Sequence, residues 1–504
     1  MQRRAWKCAW SEPRQWPVLD LKIQNTLSGK KEEFTPLHGK KVRMYVCGVT
    51  PYDSSHLGHA RTFVSFDVIR RYLLFKGYDV KFVQNVTDID DKIIRRAKER
   101  KVLPTELSEK YAHQSEKEFL ALGVMPPDIA PRVSGFMPQI IALISRLEQK
   151  GVAYKTSTGV YFDVAKFPEY GKLSHQSSEK LKAGARIEVD EEKKDPRDFA
   201  LWKFGQEAGA TFSSPWGDGR PGWHIECSAM ATSLLGDTID IHGAGRDLIF
   251  PHHENEIAQS ESATGAQFVR YWMHTGFFTI DGEKMAKSLG NFITIEDGLK
   301  KYGAQPLRML FSLSHYSSPI DFSEGAVNAA ASALSSLHSS LSAARTYCSP
   351  SKALHSGALS TAAQEAEANF TSAMDDDFDT PTAMAALFLL SKKISGACSE
   401  GSAPAEEVKR AAGVLERLMA IFGLLPPKEE GGEGAASGEV EKICRQFSVK
   451  SGSLEESISA LIAERNSARK ARDFAKSDAI RNALSEAGIV LEDRKDGSTA
   501  WRRL

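Results

Sequence analysis

Residues 41–83 constrain the fold more than any other part of the chain: an apolar segment, a histidine-bearing turn, a helix and a second apolar segment follow in order. Residues 41–47 alternate in apolar character, and residues 48–56 read as a turn containing Pro51, Asp53 and two serines. Val64, Val68, Tyr72 and Phe75 then recur at helical spacing up to a stop at Gly77, and Val80-Lys81-Phe82-Val83 reads as a second strand. A β-α-β unit of this kind builds a parallel sheet. In open parallel sheets ligands sit beyond the carboxyl ends of the strands, where the first loop meets the following helix N-terminus. His56-Leu57-Gly58-His59 occupies that junction.

The rest of the chain reads as additions to this unit. At 504 residues the length suggests about three domains. Residues 1–24 form an N-terminal extension, of which 1–17 are rich in Arg and Trp; a disordered lead-in, an upstream start codon and a targeting segment all fit them. Residues 25–322 read as an α/β domain with a Rossmann-like parallel sheet, interrupted at about 106–216 by an insertion that includes the charged stretch 188–197. A helical bundle is expected over 323–424. There Val327, Leu334, Leu337, Leu341 and Ala344 fall on one side of a helix, and Thr380 reads as the N-cap of another with Pro381 in first position. Residues 425–438, with Pro426, Pro427 and a Glu-Gly-Gly-Glu-Gly run, can bury almost nothing and read as a linker. The final module, 439–504, contains a helix from Ser453 whose Arg465, Arg469 and Arg472 share one face by their spacing. Trp501, between Ala500 and the pair Arg502-Arg503, either stacks on a base or closes the module's core.

Charge is balanced, with Lys+Arg 65 against Asp+Glu 65, so a polyanionic partner would be held by local basic patches and not by the field of the whole molecule. The six cysteines are scattered, which argues against a disulfide framework and for a reducing, cytoplasmic setting. No apolar run is long enough to span a bilayer, so no membrane role is expected.

Two short segments more than two hundred residues apart suit a bound triphosphate. His56 and His59 can donate to phosphate oxygens, while Gly58 permits close approach of a base or backbone. Lys284 and Lys287, in Lys284-Met285-Ala286-Lys287-Ser288, follow Gly282 and precede Gly290, so their loop can close over phosphates and stabilise charge mainly in the transition state. A third set of residues suits a thiophilic metal. Cys47 ends the first strand, and Cys227 lies in Trp223-His224-Ile225-Glu226-Cys227. His252 and Glu256 share a face if their segment is helical. Taken singly, each of these residues is equally compatible with a buried thiol or a hydrogen-bonded core imidazole.

Beyond these motifs, Tyr45-Val46-Cys47-Gly48-Val49-Thr50, Asn85-Val86-Thr87-Asp88-Ile89-Asp90-Asp91-Lys92 and residues 222–230, 250–258 and 284–292 resemble the cysteinyl-tRNA synthetases, a family of class I aminoacyl-tRNA synthetases. The resemblance runs from about Asn25 to the C-terminus. It implies zinc ligands Cys47, Cys227, His252 and Glu256, with the substrate thiolate taking a further position on the metal. It also implies a cysteine pocket lined by Thr87 and Trp223, and an ATP site using His56, Gly58, His59, Lys284 and Lys287, with magnesium accompanying ATP. Two departures are mild: Leu57 stands where the family usually has Ile, and Ala286 where it has Ser. The expected reaction is ligation of L-cysteine to tRNA(Cys) through a cysteinyl-adenylate, by a monomer whose bundle and terminal module lie along the tRNA. Two alternatives remain at this point: a cysteine ligase acting on an amino sugar, which would not need an RNA-reading terminus, and a catalytically silent zinc-containing RNA-binding protein.

Overall fold

The computed structural model describes residues 21–176, 192–285, 292–349, 357–426, 433–493 and 499–503. The Arg- and Trp-rich segment 1–17, the start of the charged stretch 188–197, Lys287 and residues 427–432 of the expected linker 425–438 lie outside the described residues, while the last residues of that linker, 433–438, are helical. The chain forms two compact units, Met1–Leu425 and Pro426–Leu504.

The first unit is centred on a parallel sheet of four strands, β1 (Lys41–Val49), β2 (Asp79–Val86), β3 (Ile239–Gly245) and β4 (Val269–Thr275), in the order β4-β3-β1-β2. The chain leaves β1 towards β2 and returns on the other side at β3. The order therefore reverses beside β1, opening a crevice at the carboxyl ends of β1 and β3. Helix α1 (Leu57–Phe75) joins β1 to β2. Val64, Val68, Tyr72 and Phe75 are buried as their spacing predicts, and the helix stops at Lys76 before Gly77, whose φ of +84° favours glycine.

Helix α1 is buried on its polar side too, because helices from the C-terminal part of the unit cover it. Tyr72 and Lys76 donate to Asp375 at 2.7 and 2.8 Å. Asp67 accepts from Arg71 at 2.8 Å and from Arg308 at 2.6 Å, and Arg308 also donates to the Phe422 carbonyl at 2.8 Å. All three charged side chains of this cluster are buried. Burial by itself would raise the Asp67 carboxyl; the two guanidinium groups outweigh it and hold the group below the usual carboxylate range. Asp67→Ala strands two buried cations, and a loss of about 3–5 kcal/mol is expected in urea unfolding.

Between β2 and the next helix of the sheet domain lie helices Asp91–Arg100, Pro104–Ala121 and Met137–Gln149 and an antiparallel sheet. Its strands are Ala153–Lys155, Gly159–Phe162, Phe199–Phe204 and Gly219–Pro221, paired in that order. The sheet runs on to Pro221 and delivers the chain directly into α2 (Trp223–Leu235). Helix α3 (Glu254–Thr264) then precedes β4.

Four helices, Glu324–Thr346, Ala358–Asp375, Thr380–Glu400 and Ala405–Phe422, complete the first unit. Val327, Leu334, Leu337 and Leu341 are buried and Ala344 packs against the same core. The expected cap at Thr380 is corrected by one residue. Asp379 is the N-cap, accepting from the Thr382 amide at 3.1 Å, and Thr380 is already helical with its hydroxyl on the Ser314 carbonyl. A carboxylate one residue earlier supplies the acceptor that the threonine hydroxyl, engaged elsewhere, does not.

The second unit packs helices Glu433–Gln446, Leu454–Lys470 and Phe474–Glu486 with the hairpin Ile489–Asp493 and Thr499–Arg503 around Ile458, Leu461, Ile480 and Leu484. Ser453 caps its helix reciprocally with Glu456. The three-arginine face is not formed. Arg465 is only 2% exposed, with its guanidinium beside the Thr499 hydroxyl, because its position faces the hairpin and not solvent. Arg472 lies past the helix end with φ +60°, leaving Arg469 and Arg472 exposed around the turn into the next helix. Trp501 packs against the module's core. Among the described residues no helix is long and apolar enough to cross a membrane.

Candidate active site and metal centre

The ladder between β1 and β2 slips by one residue: Val46 pairs with Gln84, but the next pair is Val49 with Val86. Cys47 and Gly48 form the bulge, which bends the strand and re-aims the side chain at 47. The Gly48 amide, freed from the ladder, donates to Asn85 Oδ1 at 2.8 Å. A Cβ on Gly48 would stand 1.6 Å from the Asn85 carbonyl oxygen, so only glycine fits. Gly48→Ala is therefore expected to displace Cys47 and cost at least about 2 kcal/mol of stability, read by thermal unfolding.

Three elements converge on Cys47. Helix α2 brings Cys227 in its second turn; a wide turn at Ile249–His253 brings His252; the first turn of α3 brings Glu256. The Sγ atoms of Cys47 and Cys227, a ring nitrogen of His252 and a carboxylate oxygen of Glu256 all lie within 4.8 Å of one another, in residues no more than 7% exposed. Ligands of a tetrahedral zinc stand roughly 3.3–3.8 Å apart, so the set fits one ion with little movement. Glu256 Oε1 lies 3.0 Å from His252 Nε2 yet makes no hydrogen bond, as expected of two ligand atoms facing a common point and not each other. Cys47, His242, His253 and Glu256 satisfy the same distance limit, so the cluster offers two overlapping donor sets.

The electrostatics of the cluster are uneven. The hydrogen bond from Cys47 draws the Cys227 thiol down, while burial pushes the Cys47 thiol up, and the two thiols titrate as one pair. Burial opposes ionisation of Glu256, but His242 and His252 prevail and its carboxyl falls to about 2. A divalent cation would favour the deprotonated form of every one of these ligands.

Sequence reasoning missed the layer behind these candidate ligands. His242 Nε2 meets Glu256 Oε2 at 2.9 Å, His224 meets the outer nitrogen of His252 at 3.0 Å, and His253 joins Cys47 Sγ at 3.3 Å to His274 at 2.8 Å. Such partners orient metal ligands. Five of the chain's 13 histidines, 224, 242, 252, 253 and 274, fall within residues 224–274, and that density was the available signal.

The His56-Leu57-Gly58-His59 segment begins α1 at the crevice, with His56 as its N-cap. The two imidazoles stack at 3.8 Å, and His59 Nδ1 accepts from the His56 amide at 3.2 Å. Acceptance at Nδ1 places the ring proton on Nε2, leaving a donor at the outer edge. Burial, with His56 and Lys92 nearby, holds His59 well below its ordinary value, so the ring is neutral at pH 7. A Cβ on Gly58 would meet the His56 ring at 2.9 Å and Met285 at 3.4 Å; the glycine thus makes room for these side chains as well as for a ligand.

The lysine segment is tied to this turn at both ends. Strand Glu283–Lys284 pairs with Phe278–Ile280, and Met285 reaches Gly58. Beyond the loop, the Leu57 amide donates to the Ile293 carbonyl at 3.1 Å, the Ile295 amide to the Ser55 carbonyl at 2.9 Å, and Phe292 meets the His56 ring edge-on at 5.3 Å. The backbone of Lys284 is thereby placed near the histidine turn; Lys287 lies outside the described residues. Thr87, at the end of β2, is buried and its hydroxyl accepts from Asn85 Nδ2 at 3.1 Å. Trp223 opens α2 with its ring 4.4 Å from that of His252.

The chain matches the family model for the class I (C) tRNA synthetase catalytic domain over residues 33–332, the DALR domain over 369–426 and the cysteinyl-tRNA ligase anticodon binding domain over 451–502. It is 46% identical to the cysteine–tRNA ligase of Haemophilus influenzae strain Rd over 487 residues, covering 96% of this chain and all of that protein. It is 47% identical to that of Marinobacter nauticus over 484 residues, covering 96% and 99%. Among solved structures it resembles Mycobacterium tuberculosis methionyl-tRNA synthetase in complex with methionyl-adenylate (TM-score 0.57, 16% identity, 76% of this chain and 90% of that one). It also resembles the LeuRS of Agrobacterium radiobacter in a ternary complex with tRNA and LeuAMS (TM-score 0.56, 12% identity, 77% and 85%). These likenesses show the same fold. With near-complete matches at this identity and the catalytic and anticodon-binding family models in sequence along it, the chain belongs to the cysteine–tRNA ligase family of class I tRNA synthetases.

Proposed function

We propose that this protein joins L-cysteine to tRNA(Cys) with ATP, and that it selects its amino acid by the thiol. The observation that carries the reading is the convergence of Cys47, Cys227, His252 and Glu256 in one unit with the His56-to-His59 turn. The cysteine carboxylate attacks the α-phosphorus of ATP, giving cysteinyl-adenylate and pyrophosphate; a terminal ribose hydroxyl of the tRNA then takes the acyl group and AMP leaves. His59 offers its Nε2 proton to phosphate oxygens, with His56 stacked on it. Lys284 and Lys287 add positive charge where negative charge develops on the phosphates. Thr87 and Trp223 line the cysteine pocket, and magnesium accompanies the triphosphate.

Zinc is the metal that suits two thiolates, an imidazole and a carboxylate, and when bound it would hold the substrate thiol as a thiolate, a bond that a serine hydroxyl does not match. Pocket contacts alone separate residues of such similar size weakly. The buried free thiols of Cys47 and Cys227 suit a reducing, cytoplasmic setting.

In this reading residues 25–322 form the catalytic domain and residues 323–424 and 439–504 lie along the tRNA. In the terminal unit the turn carrying Arg469, Arg472 and Phe474 supports RNA contact. Phe474 is 60% exposed, and an exposed flat apolar ring two residues from Arg472 suits an unstacked base. Phe474→Ala is expected to raise the KM for tRNA about tenfold, from the loss of one stacking contact, with cysteine-dependent pyrophosphate exchange unchanged.

The direct test is transfer of radiolabelled cysteine to a tRNA(Cys) transcript with ATP and zinc, alongside serine. Charging with cysteine and not serine is expected. Activation without charging would redirect the search to a small amine acceptor, and no activation would leave a silent RNA-binding protein.

A further inference from the structure

Asn85 is 2% exposed and sits where two parts of the site meet. Its side-chain oxygen accepts from the Gly48 amide at 2.8 Å, and its side-chain nitrogen donates to the Thr87 hydroxyl at 3.1 Å. The orientation is fixed by chemistry. A backbone amide can only donate, so the atom facing Gly48 is Oδ1, and Nδ2 is left for Thr87. The first bond serves the bulge that aims Cys47; the second sets the hydroxyl of the neighbouring strand, whose own amide donates to the Val49 carbonyl at 3.0 Å. One planar amide therefore spans the strand that presents a metal-ligand candidate and the strand that presents a substrate contact.

We infer that Asn85 is a positioning residue for cysteine recognition, holding the bulge at Cys47-Gly48 and the Thr87 hydroxyl in a fixed mutual register. The inference rests on the reading of Thr87 as a cysteine contact. Neither half of the clamp touches the ATP turn, so its effect belongs to the amino acid and not to the nucleotide. The two halves are also separable. Asn85→Asp keeps an acceptor for the Gly48 amide but has no donor for Thr87, whose hydroxyl keeps only the bond that its own proton makes to the buried Glu226 carboxylate. Asn85→Ala removes both bonds.

The test is a double-mutant cycle on the full-length holoenzyme, read by ATP–pyrophosphate exchange for the KM of cysteine and of ATP, and by zinc content per chain. Thr87→Val is expected to raise the KM for cysteine about tenfold, and Asn85→Asp to do the same with zinc content and the KM for ATP unchanged. Combining them should add no more than about twofold, because both remove the same contact. Asn85→Ala should in addition lower zinc content. If Asn85→Asp fails to fold, Asn85→Ser, which is too short to reach both partners, takes its place in the cycle. Multiplicative effects of the two substitutions, or a normal KM for cysteine in Asn85→Asp beside a raised one in Thr87→Val, would overturn the clamp while leaving the pocket reading intact. A normal KM in Thr87→Val would overturn the pocket reading itself, and the clamp with it.

Discussion

Cys47→Ser is expected to lose the metal and cysteine activation together. The Cys47 sulfur lies within 4.8 Å of the Cys227, His252 and Glu256 donor atoms and is 7% exposed, so water cannot easily replace it. A structural zinc site is worth about 10–16 kcal/mol over its ligands, so one thiolate contributes on the order of 3 kcal/mol. That corresponds to about 10²- to 10³-fold in metal affinity. Cysteine-dependent pyrophosphate exchange should fall at least as far, and residual activity should no longer favour cysteine over serine. Zinc content by atomic absorption, measured beside exchange with both amino acids, checks this. A variant without zinc that activates cysteine normally would defeat selection by the metal. The substitution changes one atom and leaves the bulge intact, so the melting temperature of the metal-free variant should match that of the metal-free parent.

His59→Ala should lower cysteine activation by about 10²- to 10³-fold, the effect of deleting one donor aimed at developing charge. The change falls on kcat and on the KM for ATP, with zinc content and the KM for cysteine near the parent values, because the imidazole pair is built from α1 and not from the metal-bearing elements. His59 Nδ1 accepts from the His56 amide, so its protonation would break that bond. Its folded-state pKa is depressed below 6.5, chiefly by burial. The native protein therefore binds fewer protons at this site than the unfolded chain, and the associated stability is present above pH 6.5 and lost as pH falls below it. Cysteine activation followed down from pH 8 should show no His59 titration at 6.5, and the melting temperature of the parent should fall more steeply below that pH than that of His59→Ala.

Local order was legible where one physical rule dominated. The β-α-β unit was readable because Val64, Val68, Tyr72 and Phe75 face a core at helical spacing, and the helix at Ser453 because a serine and a glutamate three residues on cap it. The readings failed where tertiary contacts redirected a side chain. Periodicity puts Arg465 on one face with Arg469 and Arg472, but the terminal hairpin folds back over it. Thr380 had the right chemistry for a cap, yet Asp379 took the position and the threonine bonded to Ser314.

By itself the sequence determined the residue types of the candidate metal site, the order of the motifs and the helix that carries the histidine turn, since these depend on residue chemistry and short-range spacing. Only the tertiary structure decided that Cys47, Cys227, His252 and Glu256 converge, that His224, His242, His253 and His274 stand behind them, and that Asn85 joins two strands. Those relations depend on how four parallel strands order themselves and on a single-residue slip at Gly48. Strand order and register are set by the packing of residues up to two hundred positions apart, which no local pattern encodes.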